Sequence, residues 1–386
     1  MSESKIKVIH LVSDLGIGGV QKVVLDICSS ADLEKYKISI FTLGPSSDLV
    51  ATYLLPPEIE IRYFNYEYST DYSLIGYFKH TFFTKEIAAK GAQIIDALVT
   101  EKPTILHLHI HPRELNLGIL VQKKTNCELV YTQHLLRLNP GGFSLKLLGY
   151  IFRKTFHKYH IVAVSQSTYD EIIQYKLLGS DKILALIENK LNLKLFHPLS
   201  KKTSDFISIV YVARIGAPKA HSELIVAWSK LNDSIKKKLI LVGPDELNGE
   251  MQRLAAKLVP DKSIVFTGPK NNITEILSTC DFAVFPSHKE GLPIALLEKM
   301  AMGLPVIVSS IPELTSVVKD NINGLVFECG NADDLAKKIS LLLADSELRE
   351  FLGHNARKTI AEKYGSENIA LPNELLYEKI IRKSVL

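Results

Sequence analysis

Short apolar runs alternate with longer segments of helical periodicity along nearly the whole chain. Thirteen of these runs, rich in β-branched residues, predict strands at 7–13, 38–43, 59–64, 105–110, 128–133, 161–165, 183–187, 207–213, 238–242, 263–267, 282–286, 306–309 and 325–327. Because the runs are continuous rather than interrupted by polar residues, helices must cover both faces of the predicted sheets. Regular alternation of strand and helix predicts the α/β class with parallel, doubly wound sheets.

A polar break at 192–205 separates two series of similar length, each of which starts afresh with a strand, a loop and a helix. We therefore predict two Rossmann-like domains, 1–190 and 206–365, joined by a linker at 191–205. A helical segment at 366–386 is predicted to return to the first domain. Ligands of open α/β sheets bind beyond the carboxyl ends of the strands, so the expected fold has two doubly wound domains facing a central cleft.

Composition narrows the class of protein further. The 386 residues are 46% hydrophobic and 23% charged, which fits a soluble two-domain protein and argues against disorder. A net charge of +4 indicates no nucleic-acid partner. Neither a signal-peptide pattern nor an apolar run of ~20 residues is visible, so we expect a cytoplasmic protein. The four cysteines, Cys28, Cys127, Cys280 and Cys329, show no paired metal spacing and are expected to be reduced.

The strongest chemical signal in the second half is the segment 282–310, which reads FAVFPSHKEGLPIALLEKMAMGLPVIVSS. Glu290 follows the predicted strand, a helix is expected to begin near Pro293, and Glu298 lies about two turns inside it. Either carboxylate alone could be a solvated charge, but the apolar helix around Glu298 favours a binding role. Backbone amides at the helix start predict an anion site helped by the helix dipole. That site comprises Gly291, Leu292, Pro293 and the backbone amide of Ile294.

A second pair of charges follows the strand at 207–213, in the segment VARIGAPKA. Arg214 ends the strand and Lys219 lies five residues later, at the entrance to the next helix. Two fixed cations at a strand end suit a pyrophosphate, since arginine grips phosphate oxygens bidentately and lysine acts as a point charge. Ordinary surface charges are the alternative interpretation. No Asp-x-Asp motif ends a strand, so we expect neither a metal nor another cofactor.

The spacing Arg-x4-Lys, followed by Glu-x7-Glu within EGLPIALLEKMAMGLPVI, resembles glycosyltransferase family 4 of the GT-B fold. The resemblance extends from GIGGVQKVVLDI near the start to NGLVFECGNADDLAKKI near the end. It implies retaining, metal-independent transfer of a sugar from a nucleotide diphosphate, with the acceptor bound by the first domain and the donor by the second. By this resemblance Arg214 and Lys219 hold the pyrophosphate, Glu290 touches the donor sugar, Glu298 binds the ribose, and the backbone around Gly268 cradles the base.

The first half opens with a glycine-rich turn, SDLGIGGVQKVVLDI, between a strand and a helix. Glycines without a Cβ let backbone amides approach a diphosphate closely. A dinucleotide fingerprint would need a third glycine where Gln21 stands, which disfavours a dehydrogenase. The resemblance implies that Gly18 and Gly19 face the donor, whereas a plain tight turn is the alternative.

Histidines close two predicted strands of the first half. By resemblance, His134 lies near the reacting sugar, which it would position and hydrogen-bond in the transition state; a general-base role is less secure. His107, His109 and His111 occupy alternate positions of one predicted strand. We considered a zinc site there and disfavour it, because no carboxylate or cysteine partner is visible nearby. We predict instead that His109 and His111 line the acceptor side.

Two segments raise the question of a membrane. The segment 144–160 repeats apolar residues at helical spacing with lysines and arginines on other faces. An internal Rossmann helix is the favoured interpretation, and a helix lying on an anionic membrane is the alternative. The aromatic segment 63–83 is a second candidate for membrane or acceptor contact. Either would suit a lipid-linked acceptor.

The chain departs from the family pattern at two places, where Asn189-Lys190 replaces Asn-Gly and Ala220 replaces a glycine. Neither change removes a charge that the mechanism needs. Two alternatives to a transferase remain, a nucleotide-sugar epimerase of the same fold and a non-catalytic nucleotide-sugar-binding protein. We favour a transferase with a UDP-sugar, before a GDP-sugar, as donor. Its acceptor is expected to be a glycan or a lipid-linked intermediate of cell-surface polysaccharide synthesis.

Overall fold

The computed structural model describes residues 5–16, 18–44, 55–66, 89–134, 153–198, 205–232, 234–270, 272–291 and 293–385. The chain divides into two compact units. Unit 1 comprises Met1–Glu188 with Asn368–Leu386, and unit 2 comprises Asn189–Glu367. Each unit contains a parallel sheet with helices packed against it, so the α/β class of the fold is confirmed.

The sheet of unit 1 has the strand order β3-β2-β1-β4-β5-β6-β7, and its neighbouring strands are parallel. The strands are β1 (Ile6–Val12), β2 (Tyr36–Thr42), β3 (Glu60–Tyr63), β4 (Ile105–His109), β5 (Glu128–Gln133), β6 (His160–Ala163) and β7 (Leu184–Leu186). The helices between them are α1 (Gly19–Ser29), α2 (Ala92–Glu101), α3 (Asn116–Thr125) and α4 (Gln166–Gln174). The direction in which strands are added reverses between β1 and β4, which makes this place the topological switch point.

Unit 2 repeats this plan with the strand order β10-β9-β8-β11-β12-β13 and its own switch point between β8 and β11. Its strands are β8 (Ile207–Val212), β9 (Lys237–Val242), β10 (Ile264–Gly268), β11 (Phe282–Phe285), β12 (Val306–Ser309) and β13 (Leu325–Phe327). Its helices are α5 (His221–Ser229), α6 (Glu250–Leu258), α7 (Ile273–Leu277), α8 (Ile294–Ala301), α9 (Pro312–Thr315), α10 (Ala332–Ala344) and α11 (Ser346–Lys363). Each of the predicted strands is present within a residue or two of its expected bounds.

Alternate side chains of β1 pack into separate cores on the two faces of the unit 1 sheet. Ile9 and Leu11 join the core beneath α2 and α3, whereas Val8 and Val12 join the core beneath α1. This is the period-2 geometry of a strand buried on both sides. It also explains why the sequence shows continuous apolar runs.

A C-terminal helix, α12 (Leu371–Val385), belongs to unit 1. The backbone amide of Asp32 donates to Glu374 Oε1 at 2.8 Å, and Tyr377 and Ile380 are buried in the same core as Val8. Helix α12 therefore closes one face of the first sheet, although the chain reaches it only after completing unit 2.

The described residues of the segment predicted as a linker, 191–205, belong to unit 2. Leu191 and Phe196 are buried, and the amide of Leu191 donates to the Tyr364 carbonyl at 2.8 Å within unit 2. These apolar side chains anchor a stretch whose composition is otherwise polar. Lys190, which replaces a family glycine, is not among the described residues with a positive φ, so a lysine fits there without backbone strain.

The two segments considered for membrane contact are only partly described. Phe156 and Tyr159 pack edge-on against Tyr131 in the core of unit 1, which favours the internal interpretation for the end of 144–160. Residues 144–152 and 67–83 lie outside the described residues. Within the described ranges, no helix has both the length and the apolar character needed to cross a bilayer.

Candidate active site

The charged residues predicted in the second half lie at the switch point of unit 2. Arg214 and Lys219 follow β8, and Glu290 follows β11, the strand hydrogen-bonded beside it. The carboxyl ends of adjacent parallel strands meet at one edge of a sheet. The geometry therefore concentrates these side chains where open α/β sheets bind ligands.

Lys219 and Glu290 form a short ion pair, with Lys219 Nζ 2.6 Å from Glu290 Oε1. The side chain of Lys219 is 21% exposed and that of Glu290 is 9% exposed, so the pair is largely shielded from water. The backbone holds the two loops together, because the amide of His288 donates to the Pro218 carbonyl at 2.9 Å. Residues 71 positions apart in sequence thus meet in one partly buried site.

A buried tyrosine, which the sequence did not single out, hydrogen-bonds to the loops that carry this pair. The Tyr211 hydroxyl lies 3.0 Å from the Lys219 carbonyl oxygen, to which it donates, and 3.0 Å from Ser287 Oγ. Burial, with a smaller contribution from the Glu290 charge, raises the pKa of Tyr211 well above its ordinary value. The phenol therefore stays protonated and keeps donating. Because Tyr211 lies within an apolar strand, the sequence pattern indicates only an ordinary core residue at this position.

Arg214 is paired with an acidic residue that the sequence did not single out. Its Nη1 atom lies 2.6 Å from Oε1 of Glu246, in the loop after β9, and both side chains are about half exposed. Sequence reasoning missed Glu246 because it lies outside the motif, on the loop of a different strand. Both cations predicted to bind a pyrophosphate are thus paired with carboxylates.

Glu298 on α8 is buried rather than solvated. Its Oε2 atom lies 3.1 Å from Nζ of Lys299, whose side chain is fully buried. The chain has therefore enclosed a charge pair inside an apolar helix, which is costly unless both ions are compensated. Lys299 is a third residue that the sequence did not reveal, after Tyr211 and Glu246, since its neighbours are those of an ordinary core helix.

The start of α8 can be described only in part. Pro293 is the N-cap residue rather than the first helical residue, and it contributes no side-chain cap to the helix amides. Gly291 lies in the preceding loop, and Leu292 lies outside the described residues. Gly268 ends β10 with a φ of 67°, a left-handed conformation that favours glycine. Ala220 has a φ of 51°, which explains why the resembling family carries glycine there.

The glycine-rich turn of unit 1 lies between β1 and α1. A Cβ added to Gly18 would lie 2.4 Å from Gln21 Oε1, whereas one added to Gly19 would meet nothing within 4 Å. Gln21 Nε2 and the Gly16 amide both donate to Asp14 Oδ1, at 3.0 and 2.8 Å. Gln21 thus closes the turn in place of the third glycine of a dinucleotide-binding loop.

The histidines of unit 1 form a buried cluster at its own switch point. His10 on β1 lies beside His107 on β4 in the strand register. His109 Nε2 lies 3.1 Å from His10 Nδ1, and His109 Nδ1 lies 3.1 Å from His134 Nε2. His107 is held separately, with Nδ1 2.6 Å from the Tyr377 hydroxyl and Nε2 2.7 Å from Thr132 Oγ1.

The residues that converge differ from the predicted set. The strand β4 ends at His109, so His111 lies beyond it in the following turn, and His10 from the neighbouring strand takes its place in the cluster. Ligand atoms of His10, His107 and His109 lie within 4.8 Å of one another, close enough to hold a metal ion. The nitrogens of His107 and His109 are already hydrogen-bonded, however, so a metal would have to displace these partners.

Burial keeps these imidazoles uncharged. Desolvation lowers the pKa of His10 and of His134 to about 4. It also lowers the pKa values of His107 and His109 well below the ordinary value, with smaller contributions from the neighbouring histidines. The cluster is therefore a neutral hydrogen-bonding network near pH 7. It contrasts with the charged groups of unit 2.

Comparison with known proteins identifies a family that the second half of the chain matches. The model of the family described as glycosyl transferases group 1 matches residues 195–359. An N-acetylgalactosaminyltransferase of Campylobacter jejuni, acting on N,N'-diacetylbacillosaminyl-diphospho-undecaprenol by its name, is 28% identical over 62% of this chain and 67% of its own length. The capsular polysaccharide biosynthesis glycosyltransferase CapM of Staphylococcus aureus is 28% identical over 66% of this chain and 71% of its own length.

Other relatives are matched over less of their length, such as 62% for an uncharacterized glycosyltransferase of Methanocaldococcus jannaschii and 46% for the N-acetyl-alpha-D-glucosaminyl L-malate synthase of Bacillus anthracis. Among solved structures, Anabaena HepE in complex with UDP and glucose superimposes with a TM-score of 0.76 at 17% identity. That superposition covers 97% of this chain and 100% of HepE. Residues 195–359 thus match the group 1 glycosyltransferases, a family of transferase enzymes, and the chain has the GT-B fold.

Proposed function

We propose that this protein transfers a sugar, with retention of anomeric configuration, from a nucleotide diphosphate donor to a glycan or lipid-linked acceptor. The observation that carries the proposal is the shielded Lys219–Glu290 pair at the switch point of unit 2. A cation there suits the diphosphate, and a carboxylate beside it suits sugar hydroxyls. The position of the pair at the carboxyl ends of β8 and β11, where open α/β sheets bind ligands, supports a binding role.

The chemistry that we propose stabilises the leaving group with fixed cations. Lys219 and Arg214 bind the diphosphate oxygens on which negative charge develops as the bond to the sugar breaks. Both cations must then loosen from Glu290 and Glu246, which releases Glu290 to accept hydrogen bonds from the sugar. Glu298, held by Lys299, accepts from the ribose hydroxyls. The leaving phosphate takes the proton of the acceptor hydroxyl on the same face of the sugar.

Metal independence is part of this proposal. The two cations supply the positive charge that a metal-dependent transferase takes from its ion. We expect full turnover in excess EDTA. Complete loss of turnover that an added divalent metal restores would overturn this part of the mechanism. The roles predicted for Gly18, Gly19, Gly268 and His134 stay predictions.

The substrate class is inferred from the relatives. The Campylobacter relative carries a diphospho-undecaprenol acceptor in its name, and the Staphylococcus relative is named for capsular polysaccharide biosynthesis. HepE was solved with UDP, which supports UDP before GDP as the base of the donor. A lipid-linked acceptor would lie in a membrane, which fits the prediction of peripheral contact with an anionic membrane at its cytoplasmic face. That contact stays a prediction.

Purified protein incubated with a panel of labelled nucleotide sugars, with and without acceptor, tests the proposal. Transfer to the acceptor with release of the nucleoside diphosphate is the expected result, and the anomeric configuration of the product tests retention. Epimerised donor would favour the epimerase alternative. Binding without any turnover, across donors and acceptors, would favour the non-catalytic alternative.

A further inference from the structure

Three histidines of unit 1 form a continuous hydrogen-bonded chain. The order is His10, His109, His134, and each link is 3.1 Å long. His10 is fully buried and His109 is 3% exposed, whereas His134 follows β5 and is partly exposed. The chain therefore leads from the core of unit 1 to the carboxyl end of its sheet, where ligands bind.

A chain of neutral imidazoles has only two arrangements of its protons. Each ring carries one N–H donor and one acceptor nitrogen, because burial keeps the three rings uncharged near pH 7. Each link needs one donor and one acceptor. If His10 donates to His109, then His109 must donate to His134 through its other nitrogen, and the reverse direction follows in the same way. The tautomer of His10 thus decides the tautomer of His134.

The buried end selects the direction. His10 Nε2 is buried and has no hydrogen-bond partner among the described residues. A buried N–H without a partner is rarer in proteins than an under-used acceptor. The lone pair therefore belongs on His10 Nε2 and the proton on Nδ1, which donates to His109 Nε2. His109 Nδ1 then donates to His134 Nε2, and the proton of His134 is on Nδ1.

We propose that His10 and His109 are positioning residues that hold His134 as a hydrogen-bond donor through Nδ1. Such a donor suits an oxygen atom of the substrate, either a sugar hydroxyl or a phosphate oxygen. A general base would instead need its lone pair on that nitrogen. The donor role toward substrate rests on the proposed function, whereas the tautomer itself does not.

His107 provides an internal control for this proposal. It lies on the same strand as His109 and is also buried, but its nitrogens form hydrogen bonds with Tyr377 and Thr132 rather than with His10, His109 or His134. Removing the Tyr377 hydroxyl should therefore disturb His107 and leave the protons of His10, His109 and His134 in place.

Nitrogen NMR of protein with ¹⁵N-labelled histidine, recorded without substrate, tests the tautomer directly. Protonated and unprotonated imidazole nitrogens are resolved in such spectra, and a His134→Gln variant assigns the signals. We expect His134 protonated on Nδ1 and unprotonated on Nε2 at pH 7. The opposite tautomer, or a doubly protonated ring, would overturn the proposal whether or not the protein transfers sugar.

Variants of His10 test the positioning role. His10→Leu removes the donor, so we expect a mixed tautomer at His134 and a kcat lowered about tenfold, the size of one hydrogen bond, with KM for the donor little changed. His10→Asn places an amide near the Nδ1 position and should restore the wild-type tautomer. Tyr377→Phe should leave the His134 signals unchanged.

Two results in these variants would contradict the proposal. One is an unchanged His134 tautomer in folded His10→Leu protein, and the other is the same shift in Tyr377→Phe. If His10→Leu does not fold, the wild-type and His10→Asn spectra still decide the question. If the His134 tautomer is as expected but no sugar is transferred, the proposed function fails while the proposed hydrogen-bonding of the three histidines stands.

Discussion

The two units place opposite chemistry at the same structural position. At the switch point of unit 2, loop residues form charge pairs, such as Lys219 with Glu290 and Arg214 with Glu246. At the switch point of unit 1, strand residues form a neutral cluster around His10 and His109. Loops can deliver flexible charges to a ligand, whereas strands hold rings in a fixed hydrogen-bonding direction. A shared topology therefore decides where a site lies, and local side chains decide which ligand it fits.

Removal of a charged residue from the unit 2 site should reduce activity more than any other change described below. Replacing Lys219 with alanine removes a fixed cation from the diphosphate site, and we expect kcat to fall about 10²- to 10³-fold while the fold survives. Glu290→Ala should likewise abolish most transfer. Steady-state kinetics and circular dichroism measure the two properties. The matched control is Lys230→Ala, which breaks an exposed pair with Asp333 and should keep activity. Near-wild-type transfer by both folded site variants would remove the site assignment.

The next effect concerns the buried charge pair of α8. Lys299→Met leaves the Glu298 carboxylate buried without its cation, and we expect about 3 kcal/mol of lost stability in urea unfolding. Adding Glu298→Gln removes the buried negative charge and should recover much of that loss. The double variant should still bind the donor poorly, because the ribose loses its acceptor. If Lys299→Met and the double variant had the same free energy of unfolding, Lys299 would not be compensating the charge of Glu298.

The neutral histidine cluster of unit 1 should make the stability of the protein depend on pH. The pKa of His10 is lowered to about 4 in the folded protein, so at pH 5 the unfolded chain binds more protons. Stability should therefore fall as pH drops below about 6.5, and His10 alone should account for about 2 kcal/mol by pH 5. Urea unfolding at pH 7 and pH 5 measures the loss. His10→Asn should reduce it, and His157→Gln, an exposed histidine, should not. A pH-independent stability across this range would contradict neutral burial.

The smallest effect concerns the partner of Arg214. Glu246 competes with the diphosphate for this guanidinium, so Glu246→Gln should tighten binding of a nucleoside diphosphate up to about fivefold, as expected for an exposed pair. Calorimetric titration at low and high salt measures the change, which salt should reduce. Glu250→Gln, an acidic residue at the start of α6, is the control. Weaker binding to Glu246→Gln would indicate that Glu246 supports the ligand instead.

Much of the candidate site could be predicted because its signals are local. Lys219 and Glu290 each follow a recognisable strand, and the rule that parallel strand ends share an edge was enough to bring them together. Tyr211, Glu246 and Lys299 could not be found in this way. Each looks ordinary among its sequence neighbours, and its importance comes from a contact across strands or within a packed helix.

The strands, their division into two series, the parallel α/β class and the family resemblance can all be inferred from sequence, because apolar periodicity and motif spacing are properties of neighbouring residues. The folded structure was needed to show that His10 rather than His111 joins His107 and His109, and that Tyr377 from α12 reaches His107. The physical reason is that strand register and the return of a distant helix bring side chains together, and no pattern along the chain records either one.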